Sequence, residues 1–129
     1  MIIDSSALIS ILRQESDAME MSNAIAEANI KLMGAHSYLE TCMVIAGPRD
    51  ASAVQPIDGF IREAGIQLIP FTAAAAMIAV QAFIKYGKGR HPAGLNFGDC
   101  MSYALAKTEV MPLLFKGEDF RLTDIEAAL

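Results

Sequence analysis

The sequence predicts an α/β fold in which a parallel sheet is covered by helices on both faces. Short apolar segments, of the length of buried strands, alternate with longer segments whose apolar residues recur at helical spacing. Such alternation is typical of strands joined by helical crossovers, the connection that parallel strands require. With 129 residues the chain is long enough to build its own hydrophobic core, and we expect one domain over residues 1–129.

The first quarter of the chain begins with a short apolar strand, Met1 to Asp4, that ends on an acidic residue. We expect Ser5 and Ser6 to cap the helix that follows, because hydroxyl oxygens accept hydrogen bonds from the free amides of a first helical turn. A second helix is predicted from about Ser16 to Ala28. It leads into a second strand over residues 30–33.

The middle of the chain continues the alternation with two helices and a strand. Residues 36–46 have apolar residues at helical spacing, with Ser37 as a candidate N-cap. The pair Gly47-Pro48 breaks this helix, and the next helix runs from Asp50 until Gly65 ends it. The third strand is predicted over residues 66–71.

The last part of the chain supplies two more helices and a fourth strand. Thr72 caps an alanine-rich helix that continues to about residue 86. Residues 87–94 form a basic, flexible loop, because neither a helix nor a central strand tolerates their glycines and proline. A helix that begins at Asn96 or Phe97 follows and ends near residue 108. Residues 112–116 are the predicted fourth strand.

Charge and composition exclude several functional classes. The net charge is −5, so binding to a nucleic acid would need a local positive charge such as a divalent cation. The N-terminus lacks a signal peptide, and the longest apolar segment, residues 68–84, is too short and too interrupted to cross a membrane. We therefore expect a cytoplasmic protein, with Cys42 and Cys100 as buried free thiols. The hydrophobic fraction of 53% fits either a large core or a partner interface.

Four acidic residues fall where strands and helices meet. Asp4 ends the first strand and Glu40 lies on the helix after the second. Asp99 begins the helix before the fourth strand, and Asp119 follows that strand. Open α/β sheets bind ligands at the carboxyl edge of their strands, so we expect all four to converge there. Each acid alone is also explained by a helix dipole, a turn or solvent exposure.

Taken together, the four acids predict a metal site. Carboxylates held close together repel one another unless cations neutralise them. Oxygen ligands favour Mg²⁺ or Mn²⁺, which polarise a phosphodiester and lower the pKa of an attacking water. The predicted chemistry is therefore hydrolysis of a phosphodiester bond.

Other polar residues are weaker candidates. His36 is more typical of a histidine that packs beside its helix, and His91 of an exposed loop residue, than of a metal ligand. Several basic residues near the acids are either solvated or contacts to a nucleic-acid backbone: Lys85, Lys88, Arg90, Lys116 and Arg121.

Four sequence segments carry a family resemblance. They are Met-Ile-Ile-Asp-Ser-Ser-Ala-Leu at 1–8, Tyr-Leu-Glu at 38–40, Asn-Phe-Gly-Asp-Cys at 96–100 with Tyr-Ala-Leu-Ala at 103–106, and Leu-Phe-Lys-Gly-Glu-Asp-Phe at 114–120 with Thr-Asp-Ile at 123–125. In this order and spacing they resemble the PIN-domain toxins of the VapC type. The segments around Asp99 and Asp119 are the most specific. Ser5 stands where relatives often have Thr.

The resemblance implies a PIN-like three-layer α/β/α sandwich with a central parallel sheet of four to five strands. It also implies an Mg²⁺- or Mn²⁺-dependent endoribonuclease, the toxin of a type II toxin–antitoxin pair. Such a protein cuts RNA, is inhibited by a VapB-like antitoxin and is usually a homodimer.

The resemblance further implies the roles of individual residues. The catalytic and metal-binding residues would be Asp4, Glu40, Asp99 and Asp119. Substrate would be bound by Ser6, the small hydroxyl beside the first acid, and by Arg90 of the basic loop. Asp124 matches an acid that lies at the edge of the site in relatives. Asn96 either positions the turn before Asp99 or simply caps its helix.

Rival α/β families lack essential residues in this sequence. A haloacid-dehalogenase phosphatase needs an Asp at position 6, which is Ser6. A receiver domain needs an Asp at the end of its third strand, and residues 69–72 contain none. Dinucleotide-binding and Walker-type domains need glycine-rich phosphate loops that are missing here. The remaining alternative is a catalytically inert PIN-like module that binds a protein, and the presence of all four acids counts against it.

Overall fold

The centre of the protein is a sheet of four parallel strands in the order β3-β2-β1-β4. The computed structural model describes residues 1–47 and 50–129. Its strands are β1 (Ile2–Ile3), β2 (Leu32–Gly34), β3 (Gln67–Ile69) and β4 (Leu113–Leu114). Its α-helices are α1 (Ser5–Leu12), α2 (Ala18–Glu27), α3 (Ala35–Ala46), α4 (Val54–Glu63), α5 (Ala73–Tyr86) and α6 (Phe97–Glu109). Short 3-10 helices lie at Ala51–Ala53 and Phe120–Leu122.

Strand β1 lies in the interior of the sheet, between β2 and β4. Ile2 pairs with Leu32 on one side and with Leu113 on the other. The chain leaves β1 towards β2, whereas β4 lies on the opposite side, so the strand order changes direction at β1. A change of this kind opens a crevice at the carboxyl ends of the strands. The residues that follow β1 and β4 therefore enter this crevice.

The core has two halves, one on each face of the sheet. Ile2 of β1 belongs to the apolar cluster that includes buried residues of α5 and α6. Its neighbour Ile3 belongs to the cluster that includes residues of α1, α2, α3 and α4. Successive residues of a strand point to opposite faces, so the two isoleucines bury both sides of the strand. The predicted three-layer α/β/α sandwich is confirmed.

The strands are shorter than predicted. Ile30 lies outside β2 and is 54% exposed, and its carbonyl accepts a 2.7 Å hydrogen bond from the N-terminal amino group. At β4 only Leu113 and Leu114 pair with β1. Ala127 adds a single parallel bridge to Leu113 on the outer side of β4. Within the described residues the sheet thus has four strands, and the bridge to Ala127 is the beginning of a fifth.

The starts of two helices differ from the prediction. Helix α1 is capped by the carboxylate of Asp4, which accepts the amide of Ser6, and not by the serines themselves. Helix α3 begins at Ala35, directly after β2, so Ser37 lies inside the helix and is not an N-cap. The prediction failed because the chain passes from strand to helix without a loop, leaving no room for a separate cap.

Other predicted helix ends agree with the structure or differ in detail. Thr72 caps α5, since its hydroxyl oxygen accepts the amide of Ala75 at 3.1 Å. The helix predicted from Asp50 is divided into a 3-10 turn and α4, and it ends before Gly65, whose φ of +68° suits glycine. Gly47 ends α3 with a φ of +58°. Pro48, the second half of the predicted break, lies outside the described residues.

None of the helices in the described part of the chain combines the length and the apolar character needed to cross a membrane. Both cysteines, Cys42 and Cys100, are buried and free, as predicted.

Candidate active site

Asp4 is the buried centre of the site, at the carboxyl end of β1. Its side chain is 3% exposed. The oxygen Oδ2 accepts hydrogen bonds from the Ser6 amide at 2.9 Å and the Ser6 hydroxyl at 2.6 Å. The other oxygen, Oδ1, accepts a 2.6 Å hydrogen bond from the hydroxyl of Ser102. Three donors from two helices therefore hold this carboxylate in one orientation.

The hydroxyl of Ser6 connects Asp4 to the segment after β4. Its hydrogen is donated to Asp4, and its oxygen accepts the backbone amide of Lys116 at 3.0 Å. Ser6 thus lies beside the first acid, as expected, and fixes the distance between α1 and the chain that leads to Asp119. One lone pair of its oxygen is left for a substrate group.

Asp99 is held by the first turn of α6 through a capping box. The side-chain oxygen of Asn96 accepts the amide of Asp99 at 3.0 Å, and Asp99 Oδ2 accepts the amide of Asn96 at 2.8 Å. The two roles considered for Asn96 are therefore one: it caps the helix and positions Asp99 in the same interaction.

The electrostatic environment of Asp99 shows that the four acids act on one another. The pKa of Asp99 is raised to about 6. Burial is the largest cause, the hydrogen bond from the Asn96 backbone opposes it, and the negative charges of Asp4, Asp119 and Glu40 add to it. The other three acids that the sequence singled out therefore lie near enough to Asp99 for their charges to affect it.

Glu40 approaches the same place from α3. Burial raises its pKa, the Ser5 hydroxyl lowers it, and the charge of Asp4 raises it again. A Cβ placed on Gly98 would lie 2.9 Å from Oε2 of Glu40. The carboxylate therefore lies against the bare backbone of Gly98, directly before Asp99.

Asp119 is the most exposed of the four acids. It precedes the 3-10 helix Phe120–Leu122, and its side chain makes no capping hydrogen bond there. Its connection to the site is electrostatic, through its effect on the pKa of Asp99. An exposed carboxylate at the mouth of the crevice is free to turn towards a ligand.

The acids surround an open space and do not form a closed cage. Among residues 1–47 and 50–129, no three acidic, histidine or cysteine side chains are near enough to one another to hold a metal ion. The tight cluster expected from the sequence is therefore not found, although the charges interact across the crevice. The reason is that Asp4 and Asp99 are each held by hydrogen bonds at the ends of their own strand and helix, while Asp119 lies on the exposed segment after β4.

The basic residues near the site differ in their availability. Lys116 forms ion pairs with Glu15 and Asp17, and Arg121 lies 3.8 Å from Glu118. Lys85 pairs with Asp124 at 3.8 Å. Within the described part of the chain Arg90 makes no ion pair. Its exposed guanidinium lies 4.9 Å from the centre of the Phe83 ring.

The carboxylate of Asp124 has partners of its own, on α5 and α6. It accepts a 2.7 Å hydrogen bond from the Tyr103 hydroxyl and lies 3.4 Å from Lys107. The Tyr103 hydrogen bond, with the charges of Lys107 and Lys85, lowers the pKa of Asp124. These contacts tie the C-terminal segment to α6.

Both histidines lie beside packed elements. His91 was expected to be exposed and is instead half-buried, because its ring packs edge-on against Tyr86 and its Nδ1 accepts the amide of Ala93. His36 packs beside its helix, edge-on to Phe71, as predicted.

Sequence reasoning assigned no contact with the acids to three residues that the structure places beside them: Ser102, Ser5 and Gly98. Ser102 follows Asp99 by three positions, a spacing that places two residues on one face of a helix, so a signal for it existed. The closeness of Gly98 to Glu40 joins two separate segments and had no signal in the sequence.

Two apolar clefts flank the first turn of α6. One, of about 560 Å³, lies between α5 and α6, and the other, of about 400 Å³, lies between α3 and α6. Phe97, which is 84% exposed, and Met101 line both clefts. The acidic crevice is therefore bordered by accessible apolar surface, since Glu40 and Gly98 line the second cleft.

The chain resembles known proteins over nearly its whole length. A family model described as "PIN domain" matches residues 1–126. The protein "Ribonuclease VapC" of Mycolicibacterium smegmatis is 47% identical over 127 residues, which cover 98% of each chain. "Ribonuclease VapC30" of Mycobacterium tuberculosis is 46% identical over 125 residues, which cover 97% of this chain and 95% of that one.

Two solved structures share the fold. The toxin VapC20 of Mycobacterium tuberculosis, described as cleaving the sarcin-ricin loop, has a TM-score of 0.76 at 12% identity and covers 96% of this chain and 95% of its own. A chain of a toxin–antitoxin complex from Klebsiella pneumoniae has a TM-score of 0.71 at 17% identity, with 92% and 88% covered. On the family match and the identities above, this chain belongs to the PIN domain family and, within it, to the VapC proteins.

Proposed function

We propose that this chain is a metal-dependent endoribonuclease that hydrolyses phosphodiester bonds of RNA, as the toxin of a toxin–antitoxin pair. The observation that carries the proposal is the convergence of Asp4, Glu40, Asp99 and Asp119 from four separate segments. Burial, with the charges of the other three acids, raises the pKa of Asp99 to about 6. A fold does not need this unfavourable arrangement, so it is retained for chemistry. The relatives named ribonuclease VapC support the same activity.

The residues of the crevice fit a divalent metal ion. Its donors are carboxylate oxygens, which suit Mg²⁺ or Mn²⁺, and Gly98 keeps open the space that Glu40 occupies. The open arrangement suits Mg²⁺ in particular, because this ion keeps several waters and takes few protein ligands. Asp4, Glu40 and Asp99 would hold it, with Asp119 contributing from the mouth. Because no three of the described acids lie near enough to bind one ion directly, some of them would bind through its waters. When bound, such an ion supplies an activated water and polarises the scissile phosphate.

We assign substrate binding to Arg90 and Ser6. Arg90 presents a guanidinium that is exposed and not paired with a carboxylate in the described residues, and guanidinium groups bind phosphates in a bidentate manner. Ser6 keeps one acceptor lone pair for a substrate hydroxyl. The net charge of −5 otherwise repels RNA, so binding depends on these local contacts and on the metal.

The proposal includes binding partners and a location in the cell. Residues 1–129 form a single PIN domain that acts in the cytoplasm, forms a homodimer and is inhibited by a VapB-like antitoxin. Exposed apolar side chains on α5, Met77, Val80 and Ile84, support an interface with another chain. The structural relative from a toxin–antitoxin complex supports the antitoxin.

The activity is tested with purified protein, a labelled RNA and Mg²⁺ or Mn²⁺. We expect cutting that stops when EDTA is added. Asp4→Asn and Asp99→Asn should each lower the rate by at least about a hundredfold, since each removes a charged ligand. Glu109→Gln, at the opposite end of the helix that carries Asp99, is the matched control and should cut normally. Equal cutting by all variants would refute the assignment of the site.

The partner proposals have separate tests. Sedimentation over a wide concentration range should show a dimer, and a monomer throughout would exclude self-association. If the gene beside this one encodes a small DNA-binding protein, co-expression of the two should yield a complex that no longer cuts RNA. A complex together with an inactive free protein would favour the alternative, a PIN-like module that binds a protein without catalysis.

A further inference from the structure

The side chain of His36 lies in a cradle that only a glycine allows. A Cβ on Gly34 would lie 2.4 Å from His36 Cε1 and 2.5 Å from His36 Nδ1. The ring of Phe71 packs edge-on against the imidazole from another side, at 5.5 Å between centroids. The orientation of the His36 ring is therefore determined by packing.

A chain of hydrogen bonds leads from this ring to the buried carboxylate of Asp4. His36 Nε2 lies 3.0 Å from the hydroxyl of Ser37 and 3.3 Å from the hydroxyl of Ser102. The two hydroxyls lie 3.3 Å apart, and each serine is 1% exposed. Ser102 donates to Asp4 Oδ1 at 2.6 Å. The two serines are shielded from water, so the hydrogen bonds between them and to Asp4 are strengthened by burial.

The direction of the hydrogen bonds follows from the two ends of the chain. A carboxylate can only accept, so the hydroxyl of Ser102 donates its hydrogen bond to Asp4. The Ser102 oxygen is then free to accept a hydrogen bond from another group. At the other end, His36 Nδ1 is buried and has no hydrogen-bond partner in the described residues. A buried amide-like N–H without an acceptor is rarer than a bare lone pair. The ring hydrogen is therefore assigned to Nε2, where it points into the serine network.

The charge state of the ring agrees with this assignment. Burial lowers the pKa of His36, and the charge of Asp4 opposes that effect. A neutral ring with its hydrogen on Nε2 donates towards Asp4 without placing a second N–H in the apolar cradle.

The hydrogen bonds on Asp4 distinguish its two oxygens. A carboxylate oxygen has two lone pairs. Both lone pairs of Oδ2 are used by the amide and the hydroxyl of Ser6. In the described residues, Oδ1 accepts only from Ser102, so one of its lone pairs is free.

We propose that His36, acting through Ser37 and Ser102, is a positioning residue that fixes Oδ1 of Asp4 as the oxygen presented to the metal ion. The proposal rests on the proposed metal-dependent function. It adds a residue that touches neither metal nor substrate, and a specific ligand atom. Removing such an outer hydrogen-bond partner typically weakens metal binding about 10- to 100-fold.

The test measures Mn²⁺ binding by calorimetry in the absence of RNA. His36→Leu keeps an apolar group in the cradle but removes the N–H donor, and should weaken Mn²⁺ binding at least about tenfold. His36→Gln can place an amide N–H where Nε2 lies, and should bind within about threefold of the parent. His91→Gln, at the other histidine, is the matched control and should bind as the parent does.

Ser102→Ala removes the link to Asp4 while leaving the cradle unchanged. It should weaken Mn²⁺ binding as much as His36→Leu does. The double variant should bind Mn²⁺ no more weakly than either single variant, because the effects of two substitutions in one hydrogen-bond network are not additive. This variant also decides the matter if His36→Leu does not fold.

Several outcomes would overturn the proposal. Parental Mn²⁺ affinity in Ser102→Ala or in folded His36→Leu would remove the role of the network. Equal losses in His36→Leu and His36→Gln, with equally lowered melting temperatures, would show that the ring only fills space. A parent protein that binds no Mn²⁺ and cuts no RNA would refute the proposed function and this inference with it, whereas an active parent with unaffected variants refutes the inference alone.

Discussion

The carboxylate of Glu40 rests against Gly98, where a Cβ would come within 2.9 Å of its Oε2 atom. The two residues belong to different helices, α3 and α6, and are 58 positions apart in the sequence. Because Gly98 directly precedes Asp99, this contact sets how closely two of the four acids approach. Gly98 is thus part of the site without offering it any functional group.

Gly98→Ala should separate activity from stability. The added methyl group displaces the flexible end of Glu40, so cutting should fall about tenfold or more if Glu40 acts as a metal ligand. Stability should be unchanged or higher by up to about 1 kcal/mol, because alanine is the better helix former. Urea unfolding and RNA cleavage measure the two effects. Gly59→Ala, inside α4 with open space at its Cβ, is the matched control. A variant with full activity would show that the contact is unimportant.

Asp99→Asn should stabilise the metal-free protein while it abolishes cutting. At neutral pH the buried charge of Asp99 is unfavourable, since its pKa is raised from 3.8 to about 6. Each pKa unit corresponds to about 1.4 kcal/mol, so the full shift corresponds to about 3 kcal/mol. Solvent screening of this partly exposed side chain lowers that figure, and we expect removal of the charge to raise the free energy of unfolding by about 2 kcal/mol. The asparagine oxygen can still accept the amide of Asn96.

The same variant tests the role of the metal. Mn²⁺ should raise the melting temperature of the parent, because a ligand that binds only the folded state stabilises it. It should raise that of Asp99→Asn much less. A variant less stable than the parent in EDTA would contradict the view that Asp99 is under electrostatic strain.

Asn96→Ala should lower both stability and activity. The variant loses the capping box of α6, at a cost of about 1 kcal/mol, and frees Asp99 from its fixed position. Thr72→Ala removes the equivalent cap of α5 and should cost about as much. Only Asn96→Ala should cut RNA more slowly under conditions in which both variants are fully folded. Equal rates would mean that the cap does not position Asp99.

Asp124→Asn should affect stability in a pH-dependent manner and leave cutting intact. The pKa of Asp124 is lowered in the folded protein by Tyr103, Lys107 and Lys85. Its charge therefore stabilises the fold above the unfolded pKa of about 4 and ceases to do so as the pH falls through the lower folded value.

The effect of this charge is small because the side chain is half exposed. After solvent screening we expect about 0.5 kcal/mol at pH 7. The difference in unfolding free energy between the parent and Asp124→Asn should shrink as the pH is lowered below about 4, the unfolded pKa of an aspartate. Loss of cutting at pH 7 would instead place Asp124 in the active site.

The alternation of short apolar segments with segments of helical periodicity determined the class of fold. The positions of acidic residues at the ends of strands and helices identified the candidate site residues. Asp4, Glu40, Asp99 and Asp119 could be named because a parallel sheet gathers its carboxyl ends at one edge, whatever its details. The caps at Thr72 and Asn96 could be named because a cap is a local interaction between residues a few positions apart. The N-cap assigned to Ser37 was wrong because the chain enters α3 directly from β2, and tertiary packing decides that geometry.

Only the tertiary structure decided how the acids are held. The bonds from Ser102 to Asp4 and the contact of Glu40 with Gly98 join residues that lie far apart in the chain. Whether Arg90 or Lys116 is available to a substrate also depends on partners from other elements, such as Glu15 and Asp17 for Lys116. A periodic pattern records which face of an element is buried, but the pairing of one side chain with another depends on distances that only the packed chain sets.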